Sequence, residues 1–429
     1  MRLPVGLEDH PLRVSRDFRA LFSGNALVAL AQRCFVLTMG WWIVTMPGAG
    51  GASVGSFMAV YGGAVFVGSA LVGPLVDRSD LRRAMRASAL LQGGFVALLA
   101  LGLERGGLGL PLVCALGAGV GLAVPLFDSA LVSALPRTVE ERHLEAATAM
   151  QSSTVELANI FAAALGSSLI ALFGVGATVA FIATLDGLGA LFVSRVGVSL
   201  APAGRGEGDP GGAAGGAEPG GRVAAPRGPV ARAAGAYLAE WLEGVRALLA
   251  DGPLARLFLL VAVYGLLVLP IFLLIPVLVN EVLRLPVGWV AAYEISISVG
   301  AVATTGLLSL GRRELPLHRV LPLLMAGSGA GLALAGLVRW PLGLMPVFAL
   351  VGACYAGFLT LTYVAFQHRV PAERKGRLFA LLATVSTGLA PLGFFVAGAA
   401  ADAFSPGAVL VAAGVAMGLL AAVSAFERG

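Results

Sequence analysis

Charge is what this chain has least of. Only 12% of its 429 residues are Asp, Glu, Lys or Arg, against about 25% in soluble domains. Lysine is all but absent: Lys375 stands alone and every other cation is arginine. Cysteine is scarce as well. Cys34, Cys114 and Cys354 each lie inside an apolar run, so a disulfide framework is excluded. His10, His143, His318 and His368 are scattered over expected loops and helix ends with no CxxC beside them, which leaves no metal-ligand set. The residues up to Phe18 mix acids, bases, Pro4 and Pro11 and lack the apolar core of a cleaved signal, so the first span is expected to be an uncleaved anchor. No GxxxxGK[ST] loop occurs, which removes ATP-driven transport.

What fills the chain instead is apolar. Hydrophobic residues make up 58%, glycine contributes 59, and mean hydropathy is +0.89. A bilayer span needs about 20 apolar residues, so twelve need about 240. Runs of that length fall near 19–45, 54–76, 84–103, 108–135, 144–172 and 175–193, then near 254–279, 287–310, 317–338, 342–366, 378–401 and 407–425. They lack the alternation of a membrane β-strand. A soluble enzyme, a disordered chain and a barrel are excluded. The pattern predicts an all-α membrane protein of twelve transmembrane helices in two six-helix bundles. The Gly117-x-Gly-x-Gly run is then helix packing, not a dinucleotide loop, because no strand precedes it.

Four regions follow: an N-terminal bundle (1–195), a Gly/Ala/Pro-rich linker (196–235), an amphipathic segment (236–251) and a C-terminal bundle (252–429). The linker cannot bury a core and is expected to be disordered. Beyond it Leu238, Trp241, Leu242, Val245 and Leu249 recur at helical spacing opposite Glu240, Glu243 and Arg246, the pattern of a surface helix. With the N-terminus inside, the inner segments hold 25 of the 29 basic residues, the outer loops hold Arg105, Arg284 and Arg339, and Arg33 is within a span. That bias predicts both termini in the cytoplasm.

The halves echo each other. Pro136…Glu141-Arg142 follows the fourth run as Pro371-Ala372-Glu373-Arg374 follows the tenth. Parallel repeats point to alternating access, with the site at their interface. Between the second and third runs stands Gly73-Pro74-Leu75-Val76-Asp77-Arg78-Ser79-Asp80-Leu81-Arg82-Arg83. Its glycine permits close helix approach, and its acid followed by arginines suits a latch between helix ends. This loop resembles the signature loop of the major facilitator superfamily, with Asp80 in place of a second glycine. Ala134-Leu135-Pro136…Leu144-Glu145-Ala146-Ala147, Glu243-Gly244-Val245-Arg246…Arg256 and Val370-Pro371-Ala372-Glu373…Pro391-Leu392-Gly393 resemble its macrolide-efflux and enterobactin-exporter branch. The resemblance implies secondary active export of an amphiphilic small molecule by proton antiport, with no cofactor. Three features depart from the branch: Ala162-Ala163-Ala164 stands where a Gly-Pro pair is usual, no arginine precedes Gly117, and the second-half loop Gly306…Arg312-Arg313 lacks its acid.

Charges inside spans are costly, so each implies a role. Arg33, Asp128, Glu156, Asp186 and Glu294 are the set. Asp128 reads as a latch partner of Arg78 or Arg82. Glu156 lies twelve residues into its run, about 18 Å deep, with Asn159 on the same side. Glu294, followed by Ser296 and Ser298, lies shallower in the eighth run. Arg33 with Gln32 is the expected counter-charge, and Asp186 reads equally as packing or function. The coupling and cavity candidates are thus Glu156, Asn159, Asp186, Glu294, Arg33 and Gln32. The inner-gate candidates are Gly73, Asp77, Arg78, Arg82 and Asp128. Trp41, Trp42, Tyr264, Trp289, Tyr293 and Tyr355 read as interface belt or packing. The function expected is export across the cell membrane by a monomer, with protons and a small molecule as partners and without nucleotide, metal or nucleic acid. The alternatives are a lysophospholipid flippase and a non-transporting sensor; no catalytic constellation supports an enzyme.

Overall fold

The structure, a computed structural model, describes residues 11–76, 79–106, 108–198, 252–310, 316–369 and 375–426, with 11, 13, 73–75, 253, 368–369, 375–387 and 426 in backbone only. Asp77, Arg78, most of the expected linker and the whole expected surface helix lie outside the described residues. After a turn at Pro11–Val14 come α1 (Arg16–Val44), α2 (Gly51–Val76), α3 (Leu81–Glu104) and α4 (Leu110–Thr138). Helices α5 (144–173) and α6 (175–194) run on as Leu144–Ser194, folding back at Gly174 with φ 80° and ψ 174°, a backbone only glycine adopts cheaply. α7 joins Gly252–Val268 to Pro270–Val277 and ends in one π turn, Leu278–Val282. Then follow α8 (Gly288–Leu310), α9 (Leu317–Leu337), α10 (Pro341–Arg369), α11 (Lys375–Ala403) and α12 (Pro406–Phe426).

Each expected apolar run has its helix. Among the described residues, ten helical segments are long and apolar enough to span a bilayer, the bent pair counting once, and Gly388–Ala403 of α11 adds a shorter apolar stretch. The outside is as apolar as the inside: Leu310 is 80% exposed and Leu172 74%. Water would penalise such a surface; lipid does not.

Helices α1 to α6 pack mainly on one another, as do α7 to α12. The halves meet where α2 runs along α11 and where α8 meets the α5–α6 pair. Small residues make the first seam possible. A Cβ on Gly55 would stand 2.7 Å from the Phe394 carbonyl oxygen, and the backbones of Gly51 and Gly398 are in direct contact. Farther along, a Cβ on Gly62 would stand 3.3 Å from Pro391.

The two ends of the molecule differ. At the end carrying the α1–α2 loop, the Ala52 N–H donates to Asp402 Oδ2 at 3.0 Å, and Asn280 Nδ2 donates to the Val44 carbonyl at 3.1 Å. Both bonds cross between the halves, and the π turn of α7 presents Asn280. At the opposite, terminal end several hydrogen bonds tie segments of the first half together. Ser15 Oγ donates to the Thr138 carbonyl (2.6 Å), Asp17 accepts from the Gly197 N–H (2.6 Å), and Arg82 Nη2 donates to the Val198 carbonyl (2.9 Å). Asp80 accepts from the Arg82 and Arg83 amides at 2.9 and 3.2 Å. It caps α3, which explains an acid where the resembled loop has glycine.

Candidate functional site

Five of the expected residues face the space between the halves, at different depths. Arg33 lies seventeen residues into α1, about 25 Å from its start and about 16 Å from its end. Its side chain is exposed, yet its charge acts on Asp128 of α4 and on Glu294 of α8. It also acts on Tyr61 of α2 and Tyr355 of α10. A guanidinium felt by helices of both halves faces the space between them, not lipid. Glu156 is exposed on α5 and acts on Tyr355 across the interface. Asn159, one turn on, is half-buried on the same side of α5.

None of these acids forms a direct ion pair with Arg33 among the described residues; the pair that does form there, Glu140 with Arg142 at 2.8 Å, lies on the surface. The guanidinium thus acts on Asp128 and Glu294 without a direct ion pair to either among the described residues.

Aromatic rings wall the same space. In the first half Tyr61 stacks on Phe57 (6.3 Å between centroids, 14°) and leans on Phe35 (5.9 Å). In the second, Tyr355 stacks on Tyr264 (6.2 Å, 9°), and Tyr264 lies on Phe358 at 3.9 Å. Tyr61 and Tyr355 are partly exposed; Tyr264 and Phe358 are fully buried, with the Tyr264 hydroxyl 2.6 Å from Ser328 Oγ. Tyr264 and Tyr355 thus lie in the interior and not in an interface belt.

Other expected residues are elsewhere. Gln32 turns into the first half, donating to Gln92 Oε1 at 3.1 Å, and Gln92 passes the chain to Ser88 and the Ala123 carbonyl. It does not join Arg33, because neighbours on a helix point about 100° apart. Asp186 is buried at 2% exposure against Gly93 of α3, its Oδ1 without a hydrogen-bond partner. Arg82 donates to the Val198 carbonyl, and the charge acting on Asp128 is that of Arg33; Arg78, the other expected partner of Asp128, lies outside the described residues. Gly73 lies in α2, described in backbone only.

The sequence profile of the Major Facilitator Superfamily matches residues 21–393. The chain belongs to that superfamily. Solved structures agree on the fold: the nucleoside transporter NupG superposes with a TM-score of 0.70 at 14% identity, covering 95% of this chain and 98% of that one. A POT family transporter in complex with 5-aminolevulinic acid gives 0.68 at 12%, covering 96% of each. No curated protein matches in sequence. This member of the superfamily is accordingly a multi-pass membrane protein and a secondary active transporter, not an enzyme.

Two features of this transporter escaped the sequence reading. The paired tyrosine walls carry no one-dimensional signal, since their partners come from other helices. Asp402 does carry one. An acid in the last turn of its own helix opposes that helix's dipole, whereas at the start of α2 the same charge is favourable.

Proposed function

We propose that this transporter exports a hydrophobic or amphiphilic small molecule by alternating access, driven by protons moving inward. The observation that carries the reading is Arg33, shared between an acid of the first half and an acid of the second. Rocking of one half against the other changes which acid the guanidinium serves. Protonation of an acid changes what that service is worth, so proton movement and rocking are linked. Glu156 is the principal proton carrier, with Asn159 beside it; Glu294, six residues into α8 and so about 9 Å from its end, is the accessory one.

The arginine bias puts both termini in the cytoplasm of the cell membrane. On that reading, Asp402–Ala52 and Asn280–Val44 close the outer end. The signature loop, with Gly73, Asp77, Arg78 and Arg82, forms the inner gate when the halves rock the other way. Resemblance to the macrolide-efflux and enterobactin-exporter branch supports export over uptake, and one chain holds a complete pair of halves, which supports a monomer.

A compound panel against an efflux-deficient host identifies a cargo, and proteoliposomes with an imposed pH gradient then test the coupling. The wild type is expected to pump uphill until an ionophore collapses the gradient, and Glu156→Gln to lose uphill transport. Glu294→Gln should be milder. Uphill pumping by Glu156→Gln at the wild-type rate would make the mid-span acid structural.

A further inference from the structure

A cavity of about 430 Å³ opens at the terminal end of the first half, about 25 Å along α1 from Arg33. It lies where the turn at Val14 leading into α1, the last turn of α4 and the short connection into α5 converge. Ser15 Oγ, donating to the Thr138 carbonyl at 2.6 Å, fastens the first two together. Arg16 of α1 and Arg137 of α4 line the cavity and are exposed, while His143, also in the lining, is buried at 3% exposure. One acid lines it too, Glu140, and its carboxylate is already paired with Arg142 at 2.8 Å. Asp17, beside Arg16, accepts instead from the Gly197 and Val198 amides. The lining is thus net cationic, its two guanidiniums supplied by helix ends that a hydrogen bond holds together.

Guanidinium groups bind phosphate oxygens through paired N–H donors and keep their charge at any physiological pH. The volume of about 430 Å³ is many times the roughly 30 Å³ that one water occupies, so a phosphate with organic substituents fits. Depth decides what carries that phosphate. Helices α1 and α4 are each 29 residues long, about 43 Å. The hydrocarbon core is about 30 Å thick, and about 40–45 Å with both headgroup layers. Arg16 is the first residue of α1 and Arg137 the second-last of α4, so both stand in the headgroup layer. Val14, 47% exposed, gives the mouth an apolar edge, which serves the glycerol and acyl carbons of a lipid and not a phosphate ion. On the orientation proposed above this end faces the cytoplasm, whose leaflet carries the anionic lipids.

We infer that this cavity holds the phosphate of an anionic phospholipid of the inner leaflet, clasped by Arg16 and Arg137. The lipid is a bound ligand of the first half and not cargo, because the site lies away from the space between the halves. Seated there, it joins α1 to the α4–α5 connection, as the Ser15–Thr138 bond already does.

Native mass spectrometry of the full chain, released from detergent, counts bound lipids one by one. The probes are dioleoylphosphatidylglycerol and dioleoylphosphatidylcholine, which share acyl chains and differ in net charge. Glycerol 3-phosphate, with the phosphate and no chains, is the third. The first phosphatidylglycerol should bind about tenfold or more tighter than the first phosphatidylcholine, since each arginine near an anionic lipid is worth about fivefold. Arg16→Gln together with Arg137→Gln should abolish that preference. Arg16→Gln alone should cut it by about fivefold, so the test does not depend on the double variant folding. Arg86→Gln, at an exposed arginine of α3 outside the lining, should leave it unchanged. Equal binding of the two lipids, or an undiminished preference in Arg16→Gln, would overturn the inference. Displacement of phosphatidylglycerol by an equal concentration of glycerol 3-phosphate would overturn the lipid and assign the cavity to soluble phosphate esters.

Discussion

The two halves of this transporter share an architecture and divide the chemistry unequally. The first half holds Arg33, Asp128, Glu156 and Asp186, together with the polar chain Gln32–Gln92–Ser88. The second half contributes one acid within a span, Glu294, about 9 Å from the start of its helix, and a stack of aromatic rings around Tyr264. Ionisable groups inside a membrane are retained where they have work to do. Under the proposed coupling, their concentration in one half gives proton handling to that half and leaves the other to provide a wall and one further charge. Arg33 joins the two.

The comparison breaks most visibly if that join is removed. Arg33→Gln deprives Asp128 and Glu294 of their shared cation, and gradient-driven efflux should fall by about tenfold or more, equivalent to about 1.4 kcal/mol. The chain should still elute as a monodisperse species, since Arg33 makes no direct ion pair among the described residues. Efflux within about twofold of wild type would show that the halves communicate by another route.

The seam between the halves gives the next effect. Any side chain at Gly398 collides with the Gly51 backbone, and overpacking of this kind costs about 1–3 kcal/mol. Gly398→Leu should therefore wedge α2 from α11 at the end carrying the α1–α2 loop. Spin labels at Pro47→Cys and Pro286→Cys, in a chain whose three native cysteines have been replaced, would report a longer distance by double electron–electron resonance. An unchanged distance distribution would mean the seam does not control that end.

Asp402→Asn should act in the same direction and more weakly. It removes a charge from the start of α2, where an anion is worth about 0.3–1 kcal/mol. The same labels should show the open population rise by about two- to fivefold. A decrease would mean that Asp402 strains the closed end instead of holding it.

Much of this was legible in one dimension, and the reasons are physical. Hydropathy resolves spans because the bilayer demands long apolar helices, and the reversal at Gly174 fell between two predicted runs. Embedded charges stand out because they are rare. Partners did not follow from spacing. Asp128 was expected to pair with Arg78 or Arg82; Arg82 donates instead to the Val198 carbonyl, and the charge acting on Asp128 is that of Arg33. Gln32 and Arg33 are adjacent in sequence and serve different surroundings for the same reason. Small residues announced close packing without saying which helices would meet.

The measurement that bears most directly on the division of labour is gradient-driven efflux compared across the two halves. A cargo found with the compound panel is placed in proteoliposomes and a pH gradient is imposed. If the first half carries the coupling, Glu156→Gln should lose uphill transport while Glu294→Gln keeps most of it. Equal loss in both variants, or uphill pumping by Glu156→Gln at the wild-type rate, would contradict the account.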